Sequence, residues 1–250
     1  MTHGALFNGI AGFPLAAAWA GIPTSWTVEI DEFCNKQSKR HFPDAIQFTD
    51  IRTASNLPYV DIISGGDPCQ PHSVSGKKKG EADIRYLWPE MYCIVKETRP
   101  NWVINENVTG SILNGVLDTK ISNLEDANYT CWPPLIIPAS AIGAFHQRKR
   151  VWLIAYSNAQ RRKRVLHNNP RSSIEETRPE YPLDSQGNAF LQFEERVGQP
   201  AVFGFPHGIS DAVAQLAAYG NAIDPRIAYE IFKAIMQLEK SGEEYTGGRL

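Results

Sequence analysis

Short apolar runs alternate with helix-like stretches along the first 155 residues of this 250-residue chain. The apolar runs predict strands at 5–7, 26–30, 60–64, 102–105 and 151–155. The stretches between them predict helices near 14–20, 31–41, 85–98 and 111–126. This alternation predicts an open α/β sheet with helices on both faces. Ligands of such sheets bind at the carboxyl ends of the strands, so we expect the chemistry in the loops that follow them.

The remaining chain changes character three times. Residues 157–210 are polar, rich in Arg, Asn, Pro and Ser, and they predict an irregular insert or small lobe. Within 211–240, a final helix is predicted to begin at Asp224 as N-cap with Pro225 in its first turn. The tail at 241–250 is predicted to be frayed. One apolar stripe of this helix consists of Ile227, Ile231, Ile235 and Leu238.

The net charge of −2 conceals an uneven distribution of charge. No acidic residue occurs between Asp126 and Glu175, and a second basic run lies earlier, just after the loop of Cys69, at Lys77, Lys78 and Lys79. Such runs are most often solvated surface. They also suit a polyanionic substrate, whose phosphates contribute affinity that is independent of sequence. The basic residues of the acid-free stretch are Arg148, Lys149, Arg150, Arg161, Arg162, Lys163, Arg164 and Arg171.

The sequence contains no run that predicts a membrane span, and its first residues lack the layout of a signal peptide. Its four cysteines are scattered and form no Cys-x-x-Cys pair, which favours reduced thiols in the cytoplasm over a disulfide framework or a zinc site. The six histidines show no ligand spacing either. We therefore expect no metal and no membrane partner.

A degenerate glycine-rich turn follows the first predicted strand. It runs from Phe7 to Phe13, with Ala11 in place of the central glycine. Glu29 ends the next strand twenty residues after Gly9, where an acid can accept hydrogen bonds from ribose hydroxyls. Asp50 follows a further candidate strand, where its carboxylate could receive an adenine amino group. Each acid alone suits a cap or surface position. Together they predict an adenosyl cofactor, and Ala11 disfavours a dinucleotide.

A second set of residues suggests covalent chemistry. Cys69 directly follows Pro68 in a glycine-rich turn after a predicted strand, which suits a presented thiol better than a packed one. Glu106 ends the next strand, and Arg148 and Arg150 alternate along an extended chain, so they share one face. A loop thiol, a helix cap and an ordinary basic loop are the plainer interpretations of the three segments.

The motifs Pro68-Cys69-Gln70, Glu106-Asn107-Val108, Arg148-x-Arg150 and Gly220-Asn221-Ala222-Ile223 occur in the order seen in cytosine-C5 DNA methyltransferases. The chain resembles that family over nearly its whole length except roughly 157–200, and it looks like the compact enzymes of phages and prophages. The resemblance implies a Rossmann-like open twisted sheet of the S-adenosylmethionine-dependent methyltransferase type. It makes 1–156 the catalytic and cofactor-binding domain, 157–210 a small target-recognition insert, and 211–240 a C-terminal segment that returns to the first domain.

The resemblance also implies a reaction. Cys69 would add as thiolate to cytosine C6, so that C5 can take the methyl group of S-adenosylmethionine and leave S-adenosylhomocysteine. Glu106 would hold the N3 and N4 edge of the base, Arg150 its O2, and Arg148 a phosphate or Glu106. The cofactor would be bound by Phe7, Gly9, Ile10, Gly12, Glu29, Ile30, Asp50, Ile51, Pro68, Leu87 and Asn221.

Double-stranded DNA is the partner that the resemblance implies, with the target cytosine flipped out of the helix. The loop from Gln70 to about Asp83 has the polar composition of a lid. A monomer in the cytoplasm of a bacterium or phage-infected cell is favoured, within a restriction-modification context. The expected DNA contacts are Gln70, Ser73, Lys77, Lys78, Lys79, Arg161, Arg162 and Arg164.

Two other functions remain open. One is a tRNA cytosine-C5 methyltransferase, because a branch of the same family uses these segments on RNA. The other is a catalytically silent DNA-binding regulator, against which the presence of Cys69, Glu106 and Arg150 argues.

Overall fold

The computed structural model describes residues 1–68, 86–113, 115–142, 148–159 and 221–241. Their strands are β1 (His3–Leu6), β2 (Thr24–Val28), β3 (Ile46–Phe48), β4 (Ile62–Gly65), β5 (Trp102–Val108), β6 (Tyr129–Cys131), β7 (Leu135–Pro138) and β8 (Lys149–Ser157). They form one eight-stranded sheet with the order β3-β2-β1-β4-β5-β8-β6, and β7 pairs with the amino-terminal part of β8.

The first five strands are parallel, and β8 runs against its neighbours. β1 pairs in parallel with β2 and β4, β2 with β3, and β4 with β5, whereas β8 is antiparallel to β5, β6 and β7. The amino end of β8 therefore lies at the same edge of the sheet as the carboxyl ends of β1 to β5. Residues that precede β8 can reach the ligand-binding edge.

Six helices pack around this sheet in the described part of the chain. They are α1 (Gly12–Trp19), α2 (Glu32–His41), α3 (Trp88–Thr98), α4 (Gly110–Leu113), α5 (Val116–Asp126) and α6 (Pro225–Ser241), with a 3-10 turn at Ala139–Ile142. None of them is both long and apolar enough to cross a membrane.

The side chains of each strand alternate between two apolar layers, as the two-residue period of a strand requires. Ile62 packs with α1 and α6, and its neighbour Ile63 packs with α3 and α5. In β8, Trp152 and Ile154 likewise face α6, and Leu153 faces α3 and α5. Helices cover both faces, so the predicted α/β class is confirmed.

Local capping chemistry sets several helix boundaries. Asp31 accepts a hydrogen bond from the backbone N–H of Cys34 at the start of α2. Asp224 Oδ1 accepts from the backbone N–H of Arg226 at 3.0 Å, and α6 begins at Pro225, as the capping pattern predicts. Among the stripe residues of α6, Ile227, Ile231 and Ile235 are buried.

The prediction differed from the structure at several places. The single helix predicted at 111–126 is divided into α4 and α5, because Gly115 adopts a left-handed backbone with φ of 70°. The short strands β6 and β7 had no predicted counterpart, since each has four residues or fewer. The predicted insert at 157–210 and the tail at 241–250 lie almost wholly outside the described residues.

Candidate active site

A cavity of about 490 Å³ opens at the carboxyl edge of the parallel strands. One end lies against the turns after β1, β2 and β3, and the other lies between β4, β5 and the start of β8. The wall consists of Phe7, Gly9, Val28, Glu29, Ile30, Asp31, Cys34, Asp50, Ile51, Arg52, Gly66, Asp67, Pro68, Leu87, Glu106, Asn107, Val108, Arg148, Arg150 and Asn221.

The turn after β1 is tied to the end of β2 by one carboxylate. Phe7, Gly9 and Ala11 all have positive φ, at 51°, 52° and 69°, so the backbone folds tightly back on itself. The backbone N–H of Gly9 donates to Glu29 Oε2 at 2.7 Å, and the N–H of Asp31 donates to Glu29 Oε1 at 2.9 Å. Each carboxylate oxygen can accept a further hydrogen bond, because it has a second lone pair.

The turn after β3 completes this end of the cavity. Asp50 Oδ1 accepts from the backbone N–H of Arg52 at 2.9 Å, and the Arg52 guanidinium lies 3.6 Å from Asp50 Oδ2. Ile51 is buried, while Ile30 is 68% exposed beside the cavity. Carboxylates thus alternate with apolar surfaces, an arrangement that suits a cationic ligand with an aromatic ring.

Ile10 and Gly12 are the two predicted cofactor residues that the structure does not bring to the cavity wall. Ile10 is 4% exposed and packs with Cys34 beneath the turn. A side chain at Gly12 would come within 2.7 Å of Ile223, so Gly12 lets the segment before α6 approach α1. A turn has no regular period, so the sequence pattern could not show which way these residues point. In the structure both pack against neighbouring elements and do not line the cavity.

The other end of the cavity is organised by the pairing of β5 with β8. This register places Val108 opposite Arg150 and Glu106 opposite Trp152. Arg150 Nε lies 2.9 Å from Glu106 Oε1. The contact is an ion pair, and Oε1 accepts no hydrogen bond from the described residues. On the other side, a Cβ at Gly66 would lie 3.0 Å from Glu106 Oε2. Gly66 therefore leaves room for this carboxyl group.

Burial raises the pKa of Glu106 to about 6. The nearby charges of Arg150 and Arg148 lower it, that of Asp67 raises it, and that of Lys120 lowers it. A carboxyl group with such a pKa can carry a proton close to neutral pH, which is the condition for donating one to a bound base.

Arg148 connects this site to the distant C-terminal part of the chain. Its Nη2 donates to the carbonyl oxygen of Ala222 at 2.8 Å. The neighbouring Asn221 is exposed and lies on the cavity wall. The hydrogen bond thus joins the first residue of the described β8 segment to the segment that precedes α6.

A buried polar cluster below the cavity is absent from the sequence-based prediction. Lys120 on α5 forms an ion pair with Asp67, and both side chains are 1% exposed. The signal was a lysine three residues after Leu117 and four before Leu124, on the buried face of a helix. Other wall residues that went unpredicted are Val28, Asp31, Cys34, Arg52, Gly66, Asn107 and Val108.

The predicted nucleophile and DNA contacts lie outside the described residues. They are Cys69, Gln70, Ser73, Lys77, Lys78, Lys79, Arg161, Arg162 and Arg164. Pro68, which directly precedes Cys69 in the chain, is described and lies on the cavity wall. No group of three or more metal-ligating side chains occurs within the described ranges.

The parallel strands with helices on both faces, and a cavity at their carboxyl ends, define a Rossmann-like α/β protein. The sequence model of the C-5 cytosine-specific DNA methylase family matches residues 1–197. The chain belongs to this family.

Individual relatives match a smaller part of the chain. It is 30% identical over 161 residues to type II methyltransferase M.Eco47II of Escherichia coli, covering 61% of this chain and 39% of the relative. It is 34% identical over 155 residues to M.CviJI of Paramecium bursaria Chlorella virus IL3A, covering 60% and 41%. The chain thus spans well under two thirds of the length of these relatives.

A solved structure supports the fold. It is that of a candidate DNA modification methyltransferase encoded within an Escherichia coli prophage, with a TM-score of 0.52 and 26% sequence identity. The match covers 64% of this chain and 47% of the other.

Proposed function

We propose that this chain is a DNA cytosine-C5 methyltransferase that methylates C5 of a cytosine flipped out of duplex DNA. One observation carries the proposal: a single cavity holds the carboxylates Glu29 and Asp50 at one end and the Glu106–Arg150 ion pair at the other. Pro68, the neighbour of Cys69, lies on the same wall. A methyl donor and its acceptor base must meet in such a shared space.

The adenosyl end of the cavity fits S-adenosylmethionine. A volume of about 490 Å³ lies in the range of small-molecule sites. Phe7, Ile30 and Ile51 offer apolar surface to an adenine ring, while Glu29 and Asp50 offer acceptors to its hydroxyl and amino groups. When bound, this cofactor supplies a methyl group activated by a sulfonium charge and leaves as S-adenosylhomocysteine.

Glu106 is proposed to hold the edge of the cytosine. Its buried carboxyl group has a raised pKa of about 6, so its protonated form can donate to cytosine N3. The oxygen Oε1 pairs with Arg150 but accepts no hydrogen bond from the described residues, and its remaining acceptor capacity is proposed to serve the cytosine amino group. Donation to N3 withdraws electrons from the ring and favours attack at C6.

The two arginines are proposed to act beside it. Arg150 would donate to cytosine O2 and keep Glu106 oriented through their contact of 2.9 Å. Arg148 would contribute positive charge and hold the Asn221 segment through its bond to Ala222. Their combined charge would favour the thiolate form of a neighbouring cysteine.

Cys69 is proposed as the nucleophile. Its thiolate forms a bond to C6, and the C5–C6 π pair is displaced so that C5 becomes nucleophilic. After C5 has gained the methyl group, a base removes the C5 proton. The electrons of that C–H bond restore the double bond and expel the thiolate, so the cysteine is regenerated.

The test is covalent trapping on a duplex that contains 5-fluorocytosine, where fluorine blocks the elimination step. With S-adenosylmethionine present, the unaltered chain and a Cys93→Ser control should form an adduct that resists denaturation. Cys69→Ser should form none. Cys93 is a suitable control because it is exposed on α3.

Labelled methyl transfer to duplex DNA and to tRNA distinguishes the two polymers. Label in DNA supports the proposal, and label only in tRNA would replace it with the RNA alternative. DNA binding with neither adduct nor transfer would favour the silent regulator.

A further inference from the structure

Asp67 and Lys120 form a buried ion pair that the proposed reaction does not use directly. Asp67 lies in the turn after β4, and Lys120 reaches it from α5. Lys120 Nζ also donates to Asn105 Oδ1 at 2.9 Å and lies 5.1 Å from the centre of the Trp88 ring. Each charge thus has close partners, which burial at 1% exposure demands.

Asp67 accepts hydrogen bonds from two residues of β5 that flank Glu106. Asn105 Nδ2 donates to Asp67 Oδ1 at 2.7 Å. Asn107 Nδ2 lies 3.2 Å from both the Asp67 carbonyl oxygen and Oδ1, and donates to them. Because alternate residues of a strand face opposite sides, both asparagines point away from the side to which Glu106 points. The cluster therefore holds β5 from the face opposite Glu106, and Asp67 and Asn107 reach the cavity wall from that face.

The same turn carries Gly66 and Pro68. Gly66 adjoins Glu106 Oε2, since a Cβ there would lie 3.0 Å from it. Pro68 lies on the cavity wall directly before Cys69 in sequence. This turn thus passes beside Glu106 at Gly66, is bonded to β5 through Asp67, and leads in sequence to Cys69 through Pro68.

We propose that Asp67 and Lys120 are positioning residues for methyl transfer. Their ion pair locks the turn after β4 onto Asn105 and Asn107, and so fixes the start of the Pro68-Cys69 segment relative to Glu106. This inference rests on the proposed function. The charge of Lys120 also balances that of Asp67, so that the groups facing Glu106 are dominated by Arg148 and Arg150.

The first test removes the ion pair without leaving a lone buried charge. In Asp67→Asn/Lys120→Met, the fold and the affinity for S-adenosylmethionine should be retained. Adduct formation on the 5-fluorocytosine duplex should slow by about 10- to 100-fold, because misplacement by about an ångström has effects of that size. A residue with only a structural role would change thermal stability and leave this rate unaltered in the folded fraction.

A milder variant covers the case in which the double variant does not fold. Asn105→Ser keeps Asp67 and Lys120 paired and leaves Asn107 bonded to Asp67, but it removes the one amide that bonds to both members of the pair. Its adduct rate should also fall by about tenfold at unchanged cofactor affinity. The matched control is Glu32→Gln/Lys36→Met, which removes an exposed ion pair on α2 and should leave the rate unchanged.

The outcomes separate the two proposals. Adduct formation at the unaltered rate in Asn105→Ser, or in a folded double variant, would overturn the positioning role alone. Failure of the unaltered chain to form any adduct or transfer label would overturn the proposed function, and the positioning role with it.

Discussion

The two ends of the cavity differ in how far their charged side chains are exposed and in which groups these side chains pair with. At the end made by β1, β2 and β3, Glu29 is partly exposed, accepts hydrogen bonds from backbone N–H groups, and shares the wall with exposed Asp31. At the other end, Glu106, Asp67 and Lys120 are buried, and charges balance one another across β5, β8 and α5. The first end is suited to hold a ligand, whereas the second keeps charged groups away from water, and this burial raises the pKa of Glu106.

This contrast predicts that substitutions at the two ends have separable effects. Changes at the buried end should alter the reaction rate at unchanged cofactor affinity. Changes at the exposed end should alter cofactor affinity first.

The largest effect is expected from Glu106→Gln. Glutamine cannot supply the proton to cytosine N3, so the rate of methyl transfer should fall by about 10²- to 10⁴-fold. Affinity for S-adenosylmethionine, measured by calorimetry, should be unchanged. Glu97→Gln on the exposed face of α3 is the matched control. If the variant lost cofactor affinity in proportion to rate, the two ends would not be functionally distinct.

Glu29→Ala should have a smaller effect, and this effect should be on cofactor affinity and not on the rate of the reaction. Losing the acceptor of the Gly9 N–H and of the ligand should weaken S-adenosylmethionine binding by about 1–3 kcal/mol. Titration calorimetry measures this change directly. Glu32→Ala, whose exposed side chain is paired with exposed Lys36 and is not on the cavity wall, serves as control. Unchanged affinity in Glu29→Ala would refute its assignment to the cofactor.

Glu106 should also make stability depend on pH. Its pKa is raised from 4.5 to about 6 by burial, so the folded chain binds this proton more tightly than the unfolded chain does. The resulting stability is fully present below about pH 4.5 and is lost as pH rises through 6.

The same Glu106→Gln variant measures that effect, because glutamine does not ionise. Relative to the unaltered chain, it should gain about 2 kcal/mol in free energy of unfolding between pH 4 and pH 7.5. Urea denaturation at both pH values gives the difference. An equal difference at both values would mean that the carboxyl group is not buried as the structure has it.

The smallest effect concerns the turn at the exposed end. Ala11 is buried with φ of 69°, whereas Ala16 is buried within α1. Substitution by glycine removes the same methyl group at both positions. Only at Ala11 does it also remove the steric penalty of a Cβ in a left-handed backbone conformation. Ala11→Gly should therefore be more stable than Ala16→Gly by about 1–2 kcal/mol. Equal thermal unfolding of the two variants would contradict this.

The sequence predicted the exposed end of the site better than the buried end. Gly9 lies in the turn after β1 and Glu29 follows β2, so one strand–helix–strand unit places both at the same edge of the sheet, and Gly9 N lies 2.7 Å from Glu29 Oε2. The contact between Glu106 and Arg150 depends on β8 running against β5, and such pairing is a tertiary choice that local patterns do not encode. The family resemblance supplied those residues, but their geometry required the fold.

Other features could not be predicted from local sequence patterns, and the reasons are physical. A buried lysine such as Lys120 on the inner face of α5 requires a partner of opposite charge, and only the fold shows that this partner is Asp67. Ile10 and Gly12 lie in or directly after a turn in which some residues face the cavity and others face the core without a regular period. The sequence pattern therefore could not show which side each residue faces. The strands β6 and β7 are too short for a clear alternation, and their pairing with β8 defines them.

The direction of β8 also determines where the chain leaves and rejoins this framework. β8 ends at Ser157, whose N–H donates to Asn101 beside the start of β5, at the edge opposite the cavity. The chain is next described at Asn221 on the cavity wall, where Ala222 is held by Arg148. Replacing what lies between these two points would break no pairing among β1 to β8. In sequence, residues 160–220 therefore connect two opposite edges of the sheet, one of which carries the cavity.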